Sequence, residues 1–295
     1  MPRNSPARAF SDYIRDCLRW TGSHIWMTPF APYILSEYFV SDEIYSLKLR
    51  YLNTRSRDLR RVHRVTTRTV VYVQLSLLDE FESLHLHKLQ DDFILIVGQW
   101  KLSKTTESLA LRRISQNRFL KQVFCQNLQL LDEKFSVFPY GVDFFTIPVL
   151  LGVKMTTFTR KSIRVLVPFA RVHEHLDLEQ KTTRELLKSL MEAPLPLGAY
   201  LRRLGKARYV IAPAGDRPDT YRHWESLVMG ASPVGVYPEP FEAMYGNRGI
   251  RVEDILSASR GDLPSVPKRA LEKTEFLSYW RKRVLDSFFS ESRPK

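Results

Sequence analysis

Residues 207–235 read ARYVIAPAGDRPDTYRHWESLVMGASPVG, and between the two apolar runs stand Asp216, Arg217, Asp219, Arg222, His223 and Glu225. Asp219 and Arg222 are three residues apart, as are Arg222 and Glu225, so a helix would carry carboxylate, guanidinium and carboxylate on one face. A guanidinium suits bidentate contact with phosphate oxygens, and a carboxylate suits the paired hydroxyls of a ribose. Gly215 lets backbone approach a ligand closely, and Pro218 fixes the entry to the helix, whose first N–H groups favour an anion. These residues fit a nucleotide-sugar donor. The other reading of the same spacing is a solvated ion-pair ladder.

The elements around the cluster decide where it lies. RYVIAP has the composition of a short buried strand, and AGDRP follows it at its carboxyl end, where open α/β sheets bind ligands. In the same way VPFARVHEH places Arg171 and His173 just past the strand KSIRVLVPFA. Arg171 there would neutralise a leaving diphosphate. His173 reads either as a phosphate contact or as a turn histidine.

Upstream, TVVYVQLSLL reads as a strand, DEFESLHLHKLQ as a helix and DFILIVG as a second buried strand, a βαβ rhythm. A helical segment around Lys121 and Phe124 follows, then EKFSVFPYGVDFF, a strand ending in a Pro and Gly loop. The pattern restarts near Thr156 and runs to a last amphipathic helix, EKTEFLSYWRKRVLDSFF, with Phe276, Tyr279, Trp280, Val284 and Leu285 toward its packing face. The expectation is an α/β chain of two halves, residues 1–150 and 151–295.

The run RYVIAPAGDRPDTYRHWESLVMGASPV resembles the donor-binding segment of exostosin-like glycosyltransferases of the GT-B fold, roughly SPxGxGxDxxRxWEALxxGxIPI. Pro213, Gly215, Asp219, Arg222, Trp224, Glu225, Leu227, Gly230, Pro233 and Val234 match it as written, while Ala212 and Ala231 are softer substitutions. VYVQLSLLDEF, DFILIVGQ, KQVFCQNLQLLDEKFSVFPYGVDF and FLSYWRKRVL are similar to further family segments, so the likeness covers most of the chain from Val70 onward. It implies two Rossmann-like domains facing across a cleft, the N-terminal one on the acceptor side and the C-terminal one holding a UDP- or GDP-sugar. It also implies transfer with inversion to a glycan or glycolipid hydroxyl, with Glu225 on the ribose and Arg222 or the loop backbone at the diphosphate.

Inverting transfer needs a general base. The family places Asn, His or Asp followed by Ser-Asp after the strand matching FILIVG, where this chain has Gly98, Gln99, Trp100 and Lys101. Asp143 is the substitute, with Asp79 and Glu80 as rivals. His85 and His87 point to different sides of a helix and have no third ligand near in sequence, and no DxD motif flanks an apolar strand. Metal-independent donor binding, with no cofactor, is therefore expected.

The chain has 295 residues, with 45 Lys and Arg against 32 Asp and Glu, a net charge of +13 that favours anionic partners. Arginines crowd between Arg50 and Arg68, which raises a nucleic-acid-binding alternative, but no RNA- or DNA-binding motif accompanies them. A solvated basic face, or contact with an acceptor or an anionic membrane, is the preferred use of that stretch, and an inactive glycosyltransferase-like scaffold is the third reading. The two cysteines, Cys17 and Cys125, form neither a CxxC nor a Cys/His cluster, and no apolar run of membrane-spanning length occurs. A cytoplasmic, at most membrane-peripheral, protein is expected.

Overall fold

The computed structural model describes residues 28–46, 53–98, 106–126, 128, 133–143, 146–153, 160–170, 176, 178–215, 218–237, 239–246, 248–260, 263, 274 and 277–289. The chain forms two compact units. One runs up to Pro139 and takes back the helix near the C-terminus; the other is Tyr140–Glu275. The division thus falls eleven residues before the expected 150/151 boundary, and the last helix belongs with the first unit.

The first unit is built on a parallel sheet of six strands, β1 Tyr38–Val40, β2 Arg57–Asp58, β3 Thr69–Gln74, β4 Phe93–Gly98, β5 Leu120–Gln126 and β6 Phe135–Phe138. Their order is β2-β1-β3-β4-β5-β6, with Tyr38 level with Val71 and Val71 level with Leu95. Every residue of β4, FILIVG, is buried, because helical segments cover both faces of a parallel sheet. Val71, Val73, Leu95, Val97, Val123 and Cys125 make the core on one face; each large aliphatic there contributes about 1.5–3 kcal/mol. Burial pushes the Cys125 thiol up to about 12, so it packs as an inert apolar group.

The helices of this unit are α1 Ala31–Leu35, α2 Glu43–Ser46, α3 Leu78–Glu80, which continues as a π-turn over Phe81–His85, and α4 Thr106–Ser115. The segment around Lys121 and Phe124, expected to be helical, is strand β5. Lys121 stands at the exposed start of that strand, and Val123 to Gln126 are buried between β4 and β6. The long-range pairing overrides the local helical spacing.

The second unit holds a parallel sheet of four strands in the order β10-β9-β8-β7, namely β7 Ile163–Leu166, β8 Ala207–Ile211, β9 Ser232–Gly235 and β10 Ile250–Arg251. Its helices are α5 Ile147–Gly152, α6 Leu178–Leu187, α7 Leu197–Gly205, α8 Tyr221–Val228, α9 Glu239–Met244 and α10 Ile255–Ser259. Lys161 lies buried beneath α7 and α8 and donates to Gly205 O at 2.9 Å and Met229 O at 2.8 Å, the carbonyls that end the two helices. Burial lowers its pKa to about 8, while the carbonyls give its protons partners.

The C-terminal helix, α11 Leu277–Asp286, returns to the first unit. Trp280 packs edge-on against Phe138 of β6 with centroids 5.4 Å apart, and Leu277 and Val284 are buried beside it. Leu285, assigned from its spacing to the packing face, is 42% exposed, and Phe276 lies outside the described residues. Both units are α/β with parallel sheets, and among the described residues no helix is long and apolar enough to cross a membrane.

Candidate functional site

The loop that follows β8 delivers the chain to α8. Thr220, not Asp219, caps the helix: its backbone N–H donates to His223 Nδ1 at 3.3 Å and its hydroxyl lies 2.9 Å from the same atom. His223 is fully buried, stacked on Tyr245 with centroids 5.0 Å apart, and lowered to about 3 by burial and by the neighbouring Arg222 charge. A neutral imidazole with Nδ1 accepting therefore holds the start of the helix. Gly215 is half-buried in the loop, and a Cβ there would stand 3.3 Å from the Thr220 methyl, so the turn fits closely around it.

Asp219 was expected on the helix face with Arg222. It lies instead before the cap, fully buried, with Oδ1 accepting from Trp224 Nε1 at 2.7 Å and from Tyr245 OH at 3.0 Å. Its Oδ2 accepts from the Tyr140 backbone N–H at 2.7 Å. These donors turn the carboxylate inward, so Asp219 organises the unit and is corrected from donor contact to interior hub.

Arg222 and Glu225 share a face of α8, as their spacing requires. Arg222 Nη2 donates to Phe169 O at 2.6 Å, in the segment that leaves β7. Glu225 is only 7% exposed, and its Oε2 accepts from the hydroxyl of Tyr200 on α7 at 2.9 Å. Burial raises the Glu225 carboxyl above its ordinary value, the Asp143 charge adds to the rise, and Tyr200 and Arg222 oppose it. Burial and the Glu225 charge push the Tyr200 phenol up as well, so it stays a donor.

Beside these groups a cavity of about 290 Å³ opens past the end of β7, lined by Pro168, Phe169, Leu197, Tyr200, Arg203 and Arg222 among others. Arg203 is held there by a bidentate pair with Glu192, at 2.7 Å from Nη2 and 3.0 Å from Nε. A second cavity of about 360 Å³ lies across the β8 loop, lined by Ala214 and Val236 with Glu179, Glu253 and Asp254. Among the described residues three carboxylates and no cation line the second, so the first is the one that suits a phosphate.

Arg171, His173 and Asp216, read as donor contacts, lie outside the described residues, as do Gln99, Trp100 and Lys101. Asp143 is partly buried, accepts from Thr146 Oγ1 at 3.0 Å, and belongs to the unit that carries Glu225 rather than to the first. Asp79 is exposed and 3.4 Å from Arg113. Glu80 is tied to Arg60 at 2.8 Å and His85 at 3.2 Å; burial raises its pKa, but these two partners outweigh burial and lower it. A lowered carboxylate held by a guanidinium is a poor proton acceptor. His85 is buried against Glu80, and no group of three or more metal-ligating side chains is found among the described residues.

Sequence reasoning missed Tyr200, and it named His223 in the cluster without giving it a role. The signal for Tyr200 lay in LGAYLRRLG, where helical spacing sets it beside Leu197, Leu201 and Leu204. Compared with protein-family models and with curated proteins, the sequence matches none.

Proposed function

We propose that the chain is a nucleotide-sugar-dependent glycosyltransferase of GT-B type, with the unit Tyr140–Glu275 holding the donor. The observation that carries this reading is that Arg222 and Tyr200 line the cavity past the carboxyl end of β7, with the buried Glu225 held against Tyr200 at 2.9 Å. Glu225 is the ribose ligand: its burial removes competing water, and Tyr200 fixes one oxygen so that the other can accept from a hydroxyl. Arg222, anchored on Phe169 O, presents its guanidinium to the diphosphate.

In the proposed reaction the acceptor hydroxyl oxygen attacks the anomeric carbon as the bond from that carbon to the diphosphate oxygen breaks. The electron pair leaves with the nucleoside diphosphate, the configuration inverts, and the hydroxyl proton passes to a carboxylate, which we assign to Asp143. Arg222 stabilises the charge growing on the leaving group without a metal ion, a role supported by the lack of a DxD motif in the sequence.

Titration with UDP- and GDP-sugars tests the reading, because a ligand that binds only the folded chain raises its melting temperature by mass action. A saturable rise with one nucleotide class, which in Glu225→Ala needs about tenfold to a hundredfold more nucleotide, is the expected result. No rise with either class overturns it.

A further inference from the structure

We propose that the arginine-lined edge of the six-stranded sheet, together with the exposed end of α11, docks on an anionic lipid bilayer. Strand β2 is the outermost strand of that sheet, and the chain from it to the start of β3 exposes Arg55, Arg57, Arg61, Arg64 and Arg68. The segment's only acid, Asp58, is buried and accepts from the Arg60 backbone N–H at 3.0 Å. Arg60 is neutralised by two carboxylates at close range, Asp42 and Glu80 each lying 2.8 Å away. The nearby acids are Glu37, occupied by Thr69 Oγ1 and Val70 N, and Asp92, 3.8 Å from Arg68. Positive charge therefore dominates the edge.

The second observation is apolar. The guanidinium of Arg68, just ahead of β3, lies 5.6 Å from the centre of the Phe289 ring, which brings the chain after α11 to the last arginine of this segment. Phe289 is 74% exposed, and Leu285, one helical turn earlier, is 42% exposed. Lys282 and Arg281 continue the same outer stripe. A cationic edge alone would serve any polyanion, including RNA. A protruding phenylalanine and leucine beside it favour a surface with an acyl boundary to receive them, because leucine has no aromatic face on which a base could stack.

The test is co-sedimentation of the full chain with phosphatidylcholine vesicles, alone or mixed with phosphatidylserine. Binding is expected only to the mixed vesicles and is lost at high salt. The triple variant Arg57→Ala/Arg61→Ala/Arg64→Ala should lower the partition coefficient roughly a hundredfold, at about fivefold per cation. Leu285→Ser/Phe289→Ser should lower it about tenfold, as exposed apolar area is lost from the boundary. These side chains are exposed, so unchanged circular-dichroism melts confirm folding. Absence of binding, equal binding to neutral vesicles, or a loss confined to the arginine variant overturns the proposal. The last outcome, with RNA displacing the vesicles, assigns the edge to nucleic acid.

Discussion

The phenol of Tyr200 donates to Glu225 Oε2 at 2.9 Å, joining two helices whose contributing residues are 25 apart in sequence. Glu225 carries a carboxyl that burial raises above its ordinary value, and Tyr200 is one of the groups that hold it down. Glu225→Ala should weaken nucleotide binding by about tenfold to a hundredfold, the range for a hydrogen bond to a charged group. In the parent, affinity should fall as pH drops through the raised Glu225 value. Tyr200→Phe removes the donor, so the same fall should begin at higher pH. Calorimetric titration of nucleotide across mildly acid pH measures both effects, and superimposable profiles for parent and Tyr200→Phe would count against the pairing.

Asp219 accepts from Trp224, Tyr245 and the Tyr140 backbone in a fully buried setting. Asp219→Ala leaves three buried donors without their acceptor. At about 1–3 kcal/mol for each unsatisfied group, the expected loss is about 3–9 kcal/mol, visible as a large drop in the urea midpoint. A small drop would mean that water or another side chain replaces the carboxylate.

Stability of the second unit should depend on His223. Its folded pKa is about 3 against an ordinary 6.5, so in that window the unfolded chain binds the extra proton. The contribution is full above pH 6.5 and declines as pH falls toward 3. His223→Gln keeps an acceptor for the Thr220 N–H, because glutamine at this position completes a capping box, but it does not titrate. Melting temperatures should therefore fall less steeply with acid in the variant. Equal slopes would show that other groups govern the acid limb.

Much of this architecture was legible locally, because β3 and β4 are nearly continuous apolar runs and β8 ends in one, each closed by a polar loop. The edge strand β2 and its neighbour β1 were not, since two and three residues carry no periodicity and depend on pairing with each other and, for β1, with β3. Arg222 and Glu225 emerged from the spacing because both lie within α8. Asp219 misled because the three-residue rule applies only inside a helix, and α8 begins at Tyr221; ahead of the cap, the donors of Trp224 and Tyr245 set the direction. Helical spacing marks Tyr200 only as a member of the apolar stripe of α7; its pairing with Glu225 has no local mark, because that partner comes from another helix.

Asn53 gives the most stringent test of the first unit. Its side-chain amide donates to Tyr33 O, Ile34 O and Ser36 O at 3.0, 3.1 and 2.8 Å, closing the carboxyl end of α1, and its Oδ1 accepts from Arg55 N and Ser56 N. The residue is buried. Asn53→Asp preserves shape but sets a carboxylate oxygen against three carbonyl oxygens, which removes the donor and adds repulsion in a site with little solvent. Asn53→Ala loses only the hydrogen bonds, at about 1–3 kcal/mol for each group left unsatisfied. The aspartate should therefore be the more damaging at neutral pH and should recover part of its stability in mild acid, where a protonated carboxyl again donates. Urea denaturation of the two variants at neutral and mildly acid pH decides the matter. An aspartate variant as stable as the parent at neutral pH would show that the amide is not the group that closes α1.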